Sequence, residues 1–551
     1  MPAKPRAVYI SPSYARLLPA FPAEVHEVRP QPGIFDLPAY LEERGLPCDL
    51  VIQDETLSPR VLVKGLWEIA CPKVYWSLDP HLNHYWQGAY CAQFDVTACT
   101  QKAWLEPLER AGTGRAEWLT WCEEPGPWQG HAGRTHRTAF VGRITEHRAK
   151  RRLFADFLAK RHQAHVETDL AYDEVSRVYG QTRLAPNESL QGEITQRLFV
   201  AAAQGCLVLD PASDNGLAEL FEPGREVTVY HDPFELDELL VHYRRHPAEA
   251  ERLGRAAWER VIREHGPGQR MEALGRMALG APAGAPRGRE GERLFWLGAA
   301  RCLESRLVPA PPEAVLKGLA QRQDDPRSVT AMLRLLSLGG QAQQALGLAW
   351  GLLGQGAWPE DADFNLAGAG LGLNLGQIEL ARVFLDRLGR ASGLVQGEIP
   401  LEPGRIYAAM GDAYLRLGTV WRPGFLFDPE ACLPATATEC LGLALDLLPG
   451  DMGLMRKYEA LLRSLPGAEL PRLGLLSELS LRDRDNFRVS LALGLADIGM
   501  FRVKEGLGEL ALARDLAQAQ GRGQALARLL GAADPGGRIR EALGAGRYDR
   551  Y

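Results

Sequence analysis

The pattern of apolar and polar positions changes character about halfway along the chain. Before about residue 278, short β-rich runs alternate with stretches of helical spacing. The predicted strands cover 7–11, 48–53, 73–78 and 95–100, and then 138–143, 164–168, 182–187, 206–210 and 226–230. Alternating β and α segments are typical of parallel sheets covered by helices. Two successive series predict two Rossmann-like domains, 1–135 and 136–279.

Beyond these series the strand signals almost vanish. The stretch 280–292 is rich in Gly, Ala and Pro, which is typical of a linker, and 293–551 has helical spacing throughout. Within this region Gly339, Gly376 and Gly418 end similar helical runs, 37 and 42 residues apart. Tetratricopeptide (TPR) repeats have a period of 34 residues. The spacing predicts a TPR-like α-solenoid, with an ordinary helical bundle as the alternative, so the predicted fold class is α/β plus all-α.

The composition of the chain indicates which partners it can bind and in which cellular compartment it functions. The chain has 551 residues and a net charge of −6, which argues against nucleic acid as the main partner because phosphate binding needs a basic field. Nine cysteines without a C-x-x-C pair favour a reducing compartment. No signal peptide and no run of about 18 apolar residues is visible. We therefore predict a cytoplasmic protein without a transmembrane segment.

Candidate catalytic groups follow a strand in the first series. Asp79 comes directly after the predicted strand 73–78, where α/β sheets expose functional groups. A carboxylate there can accept a proton from an attacking hydroxyl, and His81 and His84 are alternative bases. Their H-x-x-H spacing lacks a third ligand, so we predict no metal. Asp54 and Glu55 end the preceding strand in the same way and are weaker candidates.

Candidate anion-binding groups lie at two loop-to-helix junctions of the second series. Gly142 permits a tight turn, and Arg143 and Arg148 place positive charge at a helix N-terminus, which already favours anions. The alternative is a solvated basic helix face. At the second junction Asn187 and Thr195 offer hydrogen bonds. Arg197 can reach a cleft there, or be the exposed side chain of a simply capped helix.

Residues from about 70 to 275 resemble the CgeB-like (spore-maturation) glycosyltransferases of the GT-B fold. The resemblance is carried by "YWSLD" (75–79), "FDVTACTQKAWLEPLERAG" (94–112), the "FVG" start at 140, the long block 197–236 and the closing "RVIREHGPGQRMEAL" (260–274). It implies a GT-B pair of Rossmann-like domains that transfers a sugar from a nucleotide-sugar donor. No cofactor or bound metal is implied. The region after 290 lies outside the resemblance.

The resemblance also implies roles for individual residues. Donor-binding residues carried over from it, with the turn at Gly142, are Arg143, Arg148, Asn187, Thr195 and Arg197, and Asp79 would face them from the acceptor side. One position departs from the family. Related proteins usually have Glu where this chain has Val200, and a valine cannot accept hydrogen bonds from the donor ribose.

Three functions follow as expectations. The first is a bacterial glycosyltransferase whose helical region, 293–551, recruits a protein acceptor; by analogy alone this acceptor is a surface protein such as flagellin. Such a tail would be dispensable for nucleotide binding. The second is a transferase acting on a lipid-linked or polysaccharide acceptor, with the tail used for oligomerisation. The third is a non-catalytic nucleotide-sugar-binding scaffold.

Overall fold

The computed structural model describes residues 4–13, 15–56, 59–281 and 284–544. The chain forms two compact units, each assembled from two separate segments. The first unit comprises Met1–Thr120 and Met271–Leu454, and the second comprises Trp121–Arg270 and Met455–Tyr551. Each unit combines one of the predicted α/β segments with part of the helical region.

The first unit contains a six-stranded parallel sheet of order β2-β1-β4-β6-β7-β8. Its strands are β1 (Arg6–Ile10), β2 (Glu24–Val28), β4 (Leu50–Asp54), β6 (Lys73–Ser77), β7 (Val96–Cys99) and β8 (Ala116–Trp118). The short strands β3 (Gly33–Asp36) and β5 (Val61–Lys64) pair separately. The helices of this segment are α1 (Leu37–Arg44), α2 (Pro80–Cys91) and α3 (Leu105–Arg110). All residues of β4 and β6 are buried, as expected for central strands covered on both faces.

The second unit contains a five-stranded parallel sheet of order β10-β9-β11-β12-β13. Its strands are β9 (His136–Val141), β10 (His165–Glu167), β11 (Thr182–Pro186), β12 (Leu207–Pro211) and β13 (Thr228–Tyr230). Its first helices are α4 (Ala149–His162), α5 (Tyr172–Gly180), α6 (Gln196–Ala203), α7 (Leu217–Leu220), α8 (Pro233–Arg245) and α9 (Pro247–Arg260). The two parallel sheets confirm the predicted α/β part of the fold.

The rest of the chain is helical, and residues 284–544, all described, contain no strand. The helices are α10 (Pro267–Leu279), α11 (Gly288–Glu304), α12 (Pro312–Ala320), α13 (Pro326–Leu338), α14 (Ala342–Gly354), α15 (Ala362–Asn374), α16 (Ile378–Ser392), α17 (Pro403–Arg416), α18 (Ala437–Leu447), α19 (Met452–Arg463), α20 (Glu469–Arg482), α21 (Phe487–Gly499), α22 (Val503–Ala519), α23 (Gly523–Ala533) and α24 (Arg538–Gly544). The all-α part of the predicted fold class is thus confirmed. None of the helices in the described ranges has both the length and the apolarity needed to cross a bilayer.

Three helices end close to the glycines that the sequence predicts as helix ends. Gly339 follows α13, while Gly376 and Gly418 adopt φ angles of 67° and 72° just after α15 and α17. A positive φ is accessible to glycine without the steric cost that other residues incur. The helix ends are therefore as predicted, while the assignment to TPR-like repeats stays a prediction.

The helical region is divided between the two units, which differs from the predicted separate domain 293–551. In the first unit Phe295 of α11 packs on Trp67, with ring centroids 5.6 Å apart. In the second unit Phe501 packs edge-on against Phe154, with centroids 5.1 Å apart, and also contacts Phe157. Each sheet therefore shares one hydrophobic core with helices far away in the sequence.

The predicted linker 280–292 also differs from the structure. Residues 282 and 283 lie outside the described residues, and α11 begins at Gly288. A side chain at Gly291 would meet the Cβ of Trp67 at 2.5 Å. This glycine therefore permits close contact between α11 and Trp67, whereas the composition of 280–292 predicted a linker.

The boundary predicted at 135/136 lies at 120/121 instead. The indole of Trp121 donates a hydrogen bond of 2.7 Å to the Ile194 carbonyl of the second unit, and Trp128 lies against Gly205. The segment 121–135 forms no helix or strand, and these aromatic side chains anchor it to the second sheet.

Candidate functional site

A polar network lies where β11 and β12 end, at the carboxyl edge of the second sheet. Asn187 directly follows β11, and its amide nitrogen donates to Asp210 at the end of β12 and to the Thr195 hydroxyl, at 2.9 Å. Its side-chain oxygen accepts from Arg197 at 2.8 Å, and its backbone carbonyl accepts from the Tyr230 hydroxyl at 2.6 Å. This edge of a parallel sheet is where α/β proteins bind ligands.

Arg197 is the cation of this network. Its guanidinium lies over the Phe140 ring, 4.5 Å from the centroid, and a Cβ at Gly142 would come within 3.4 Å of it. Among the residues that the structure describes, no carboxylate oxygen forms an ion pair with Arg197. Burial, and then the neighbouring charge of Arg151, lowers the pKa of Arg197. A desolvated cation bonded only to neutral oxygens is suited to a bound anion.

The helix that carries Arg197 begins beside the network. The Thr195 hydroxyl caps α6 by accepting from the Leu198 N–H at 3.3 Å. A capped helix start brings further backbone N–H groups to the site, and these favour negative charge. Val200 is 3% exposed within α6. The position at which the resemblance predicts a glutamate is thus occupied by a side chain buried in the core.

A buried ion pair beside the network was missed by sequence reasoning. The Arg151 guanidinium of α4 contacts the Glu188 carboxylate at 2.7 Å, and both side chains are at most 4% exposed. The sequence analysis chose Arg148, which is the half-buried N-cap residue of α4. Arg151, Phe154 and Leu158 are spaced i, i+3 and i+7, so helical periodicity could have placed Arg151 on the buried face.

Arg143 lies outside the network that joins Asn187, Thr195 and Arg197. Its side chain is 69% exposed and lies 4.0 Å from the equally exposed Asp169 carboxylate. It follows Gly142, which is close to Arg197. Arg143 is therefore a solvated residue at the rim, and its contact with a diphosphate stays a prediction.

Asp210 is a second group that the sequence analysis did not select. Burial raises its pKa to about 7, and the hydrogen bond from Asn187 offsets only part of that effect. It ends the run "CLVLD" just as Asp79 follows "VYWSL". The same rule of strand-end carboxylates could have found it.

We expect the Asp210→Asn variant to gain stability relative to the native chain as pH rises. An aspartate with a pKa near 3.9 when unfolded and about 7 when folded holds its proton more tightly in the folded chain. Its contribution to stability is therefore present below about pH 4 and lost as pH rises to about 7. Asparagine does not ionise, so the difference in free energy of unfolding should grow by up to about 1.4 kcal/mol per pH unit. Urea unfolding at pH 5, 6, 7 and 8 measures it.

The substitution also alters the hydrogen bond between Asn187 and residue 210. That effect does not depend on pH, so it shifts the difference in free energy of unfolding without changing its slope against pH. Replacing Asp156 of α4, whose side chain is 54% exposed, by Asn is the matched control for the loss of a carboxylate. Parallel stability curves for Asp210→Asn and the native chain would contradict the shifted pKa.

In the first unit, Glu55 organises the start of α2. Its carboxylate accepts the backbone N–H groups of Leu78 and Asp79 at 2.8 and 3.0 Å. It also accepts from Arg60 at 2.8 Å and from the Asn83 amide at 2.7 Å. With every side of this carboxylate engaged and 2% of the residue exposed, Glu55 holds the strand-to-helix turn. It is a positioning residue for Asp79 and a poor candidate base.

Asp54, the other strand-end candidate, is also engaged internally. It accepts from the Tyr9 hydroxyl at 2.8 Å and from the Ser13 N–H at 2.7 Å. Burial raises its pKa to about 7. These bonds tie the ends of β4 and β1 together, which identifies Asp54 as a structural carboxyl group.

The structure brings the three predicted catalytic residues to the first turns of α2. Asp79 is its half-buried N-cap residue, and His81 is 1% exposed. His84 packs on Trp104, with ring centroids 4.8 Å apart, and burial lowers its pKa to about 4. His84 is therefore neutral and weakly basic at pH 7, so Asp79 is the stronger candidate of the three.

Comparison with known proteins gives one family match. Residues 102–276 match a family described as glycosyl transferase-like. This range contains Gly142 and the network around Asn187 and Arg197, but it does not contain Asp79. No curated protein matches the chain.

Solved structures resemble about half of the chain, and three of them illustrate the likeness. HepE from Anabaena, in complex with UDP and glucose, is 12% identical over 49% of this chain and 98% of its own, with a TM-score of 0.36. Sucrose-phosphate synthase from Thermosynechococcus elongatus is 12% identical over 50% of this chain and 98% of its own, with a TM-score of 0.38. A glycosyltransferase from Rickettsia africae is 8% identical over 49% and 96%, with a TM-score of 0.35.

Proposed function

We propose that the protein is a glycosyltransferase that uses a nucleotide-sugar donor. The observation that carries this proposal is the unpaired Arg197 cation at the carboxyl edge of the second sheet, inside the range that matches the glycosyl transferase-like family. When the sugar is transferred, the nucleoside diphosphate is the leaving group. The negative charge that develops on it is stabilised by fixed hydrogen-bond donors and cations. Arg197 and the start of α6 supply groups of both kinds.

This proposal assigns roles to Arg197 and to the residues that surround it. Arg197 binds the diphosphate, and Asn187 fixes the guanidinium while Thr195 fixes the helix start. Gly142 leaves space beside the guanidinium. Arg143 and Arg148 add positive charge at the rim. The charge of the leaving group is balanced by these groups without a bound metal.

We expect Arg197→Ala to weaken the binding of nucleoside diphosphates by about 10- to 150-fold. A hydrogen bond to a charged group contributes about 1.5–3 kcal/mol, and the lost cation has no replacement in the network. Calorimetric titration with UDP, GDP and ADP measures the change. Arg177→Ala is the matched control, because Arg177 is 70% exposed and pairs with Glu174 on α5.

Arg143→Ala belongs in the same series. Its side chain is largely solvated, so a smaller loss than for Arg197→Ala is expected. Unchanged affinity in both the Arg197 and Arg143 variants would reject the donor site. Incubation of the native chain with a panel of nucleotide sugars, followed by assay of released diphosphate, tests the transferase activity itself.

For the acceptor, we propose a protein recruited by the helical region. Large apolar side chains exposed on it support this, among them Trp350 (48% exposed) on α14, Leu401 (65%) and Leu426 (79%). Contiguous apolar patches are typical of surfaces that bind other proteins, whereas single exposed apolar side chains are common on any protein, so the proposal is tested at the largest of them, Trp350. Replacing Trp350 by Ala should reduce transfer to such an acceptor while leaving donor hydrolysis unchanged. A lipid-linked or polysaccharide acceptor would instead be insensitive to this change.

Val200 favours one second candidate, a scaffold that binds a nucleotide sugar without transferring it. A buried valine offers no hydrogen bond to a ribose. The panel assay separates the two functions, because a scaffold binds a nucleotide sugar but releases no diphosphate, with or without acceptor.

A further inference from the structure

Three potential metal ligands meet on the surface of the second unit, where α8 is followed by α9. They are His242 on α8, His246 between the two helices and Glu249 on α9. One ligand atom from each lies within 4.8 Å of the other two. We propose that these residues bind one divalent transition-metal ion of the Zn²⁺ type.

The chemistry of the donor set fits that class of ion. Two imidazoles and one carboxylate form a set used by zinc, with a water as the fourth ligand. Zinc bonds of about 2.0–2.1 Å in a tetrahedron place ligand atoms about 3.4 Å apart. The Nε2 of His242 is already 2.9 Å from the Glu249 carboxylate. The ligand atom of His246 lies within 4.8 Å of both, so side-chain rotations can bring it to the required distance.

The tautomer of His246 is set in the required way. Its Nδ1 lies 2.9 Å from the backbone carbonyl of His242, so Nδ1 carries the proton and donates it. The lone pair is then on Nε2, where a metal can bind. The ring of His246 stacks on that of His242 with centroids 4.2 Å apart. A backbone carbonyl that orients a histidine in this way is the usual outer partner of a metal ligand.

Both helices that carry the ligands are anchored in the core. On α8 the Tyr243 hydroxyl contacts the Thr228 hydroxyl at 2.9 Å, and on α9 Ala250 and Leu253 are each 1% exposed. The backbone positions of the three ligands are thus fixed before any ion arrives, which lowers the entropic cost of binding. The ligand side chains remain open to solvent, since those of His242 and Glu249 are 44% and 40% exposed.

A bound ion would stabilise the corner between α8 and α9. α8 also receives the last described helix of the chain, because Arg538 of α24 contacts Glu235 and Glu238 at 2.9 and 3.0 Å. The proposed site therefore lies on the helix to which the end of the chain attaches.

The test is zinc binding to the full chain after chelation of bound metal. Equilibrium dialysis against Zn²⁺, with metal analysis, should find one more zinc per chain in the native protein than in His242→Ala. Glu249→Gln preserves the size of the side chain but removes its charge, and should weaken binding at this site about tenfold or more. Zinc should raise the thermal unfolding midpoint of the native protein, with a smaller shift in His242→Ala.

His231→Ala is the matched control. His231 lies just before α8, is 69% exposed and contacts Glu235 of α8 at 2.8 Å, but no third ligand completes a metal-binding group with this pair among the described residues. This variant should bind as much zinc as the native chain. Equal zinc binding by the native chain and His242→Ala would overturn the proposal and leave the His242–Glu249 contact as a surface hydrogen bond.

Discussion

A chain that ends at Leu454 is expected to lose nucleotide binding altogether, because its second unit cannot fold. The missing segment supplies one side of the core that contains Phe140, Phe154 and Phe157. Each large apolar side chain left uncovered costs about 1.5–3 kcal/mol, and four of them already match the roughly 5–15 kcal/mol that stabilises a whole domain. Sedimentation and calorimetry with UDP, GDP and ADP measure solubility and binding. The first unit lies within 1–454 and should persist as a protease-resistant core.

Point variants separate this core effect from truncation. Phe501→Ala removes the ring that contacts Phe154 and Phe157, and should destabilise the second unit strongly. Leu512→Ala, on the neighbouring helix α22 and 46% exposed, should have little effect. A soluble 1–454 chain with native affinity would show that the last helices are dispensable, as the sequence analysis expected.

Replacing Asp79 by Asn is expected to reduce turnover about a hundredfold or more while leaving the fold and nucleotide affinity intact. A general base contributes about 10²–10⁴ to a rate, and asparagine cannot accept a proton. The backbone N–H of residue 79 still donates to Glu55 in this variant, so the start of α2 stays in place. Release of diphosphate from the donor, with and without acceptor, measures turnover, and calorimetry measures affinity.

His84→Gln is the control for this experiment. A histidine with a pKa of about 4 is a weak base at pH 7, and its replacement should change turnover by less than tenfold. Native turnover in Asp79→Asn together with a large loss in His84→Gln would reverse the assignment.

The sequence predicted the sheets and the helices because both depend on local spacing. Asn187, Thr195 and Arg197 were predicted to act together, and the structure joins them by hydrogen bonds of 2.8 and 2.9 Å. Their positions follow from one rule, that the carboxyl ends of parallel strands share an edge. Their role in binding a donor remains a prediction.

Contacts between distant segments were beyond that reasoning. The spacing of Phe154 shows that it faces a core, but not that Phe501 covers it. Likewise Asp54, Glu55 and Asp79 all follow strands, and only their hydrogen bonds show that Asp54 and Glu55 are already engaged. Composition misplaced the linker because a glycine that permits helix contact and a glycine in a flexible segment look alike in sequence.

The pairing of Phe154 with Phe501 has a consequence for how the protein is made. These two residues are 347 positions apart, and at about 5–20 residues per second the ribosome adds the second about 17–70 s after the first. During that interval the side of α4 that carries Phe154 and Phe157 lacks the side chain that covers it. The interval between the synthesis of Trp67 and that of Phe295 is shorter, since 228 residues separate them. The apolar surface of α4 is thus exposed on the nascent chain for longer than the surface around Trp67.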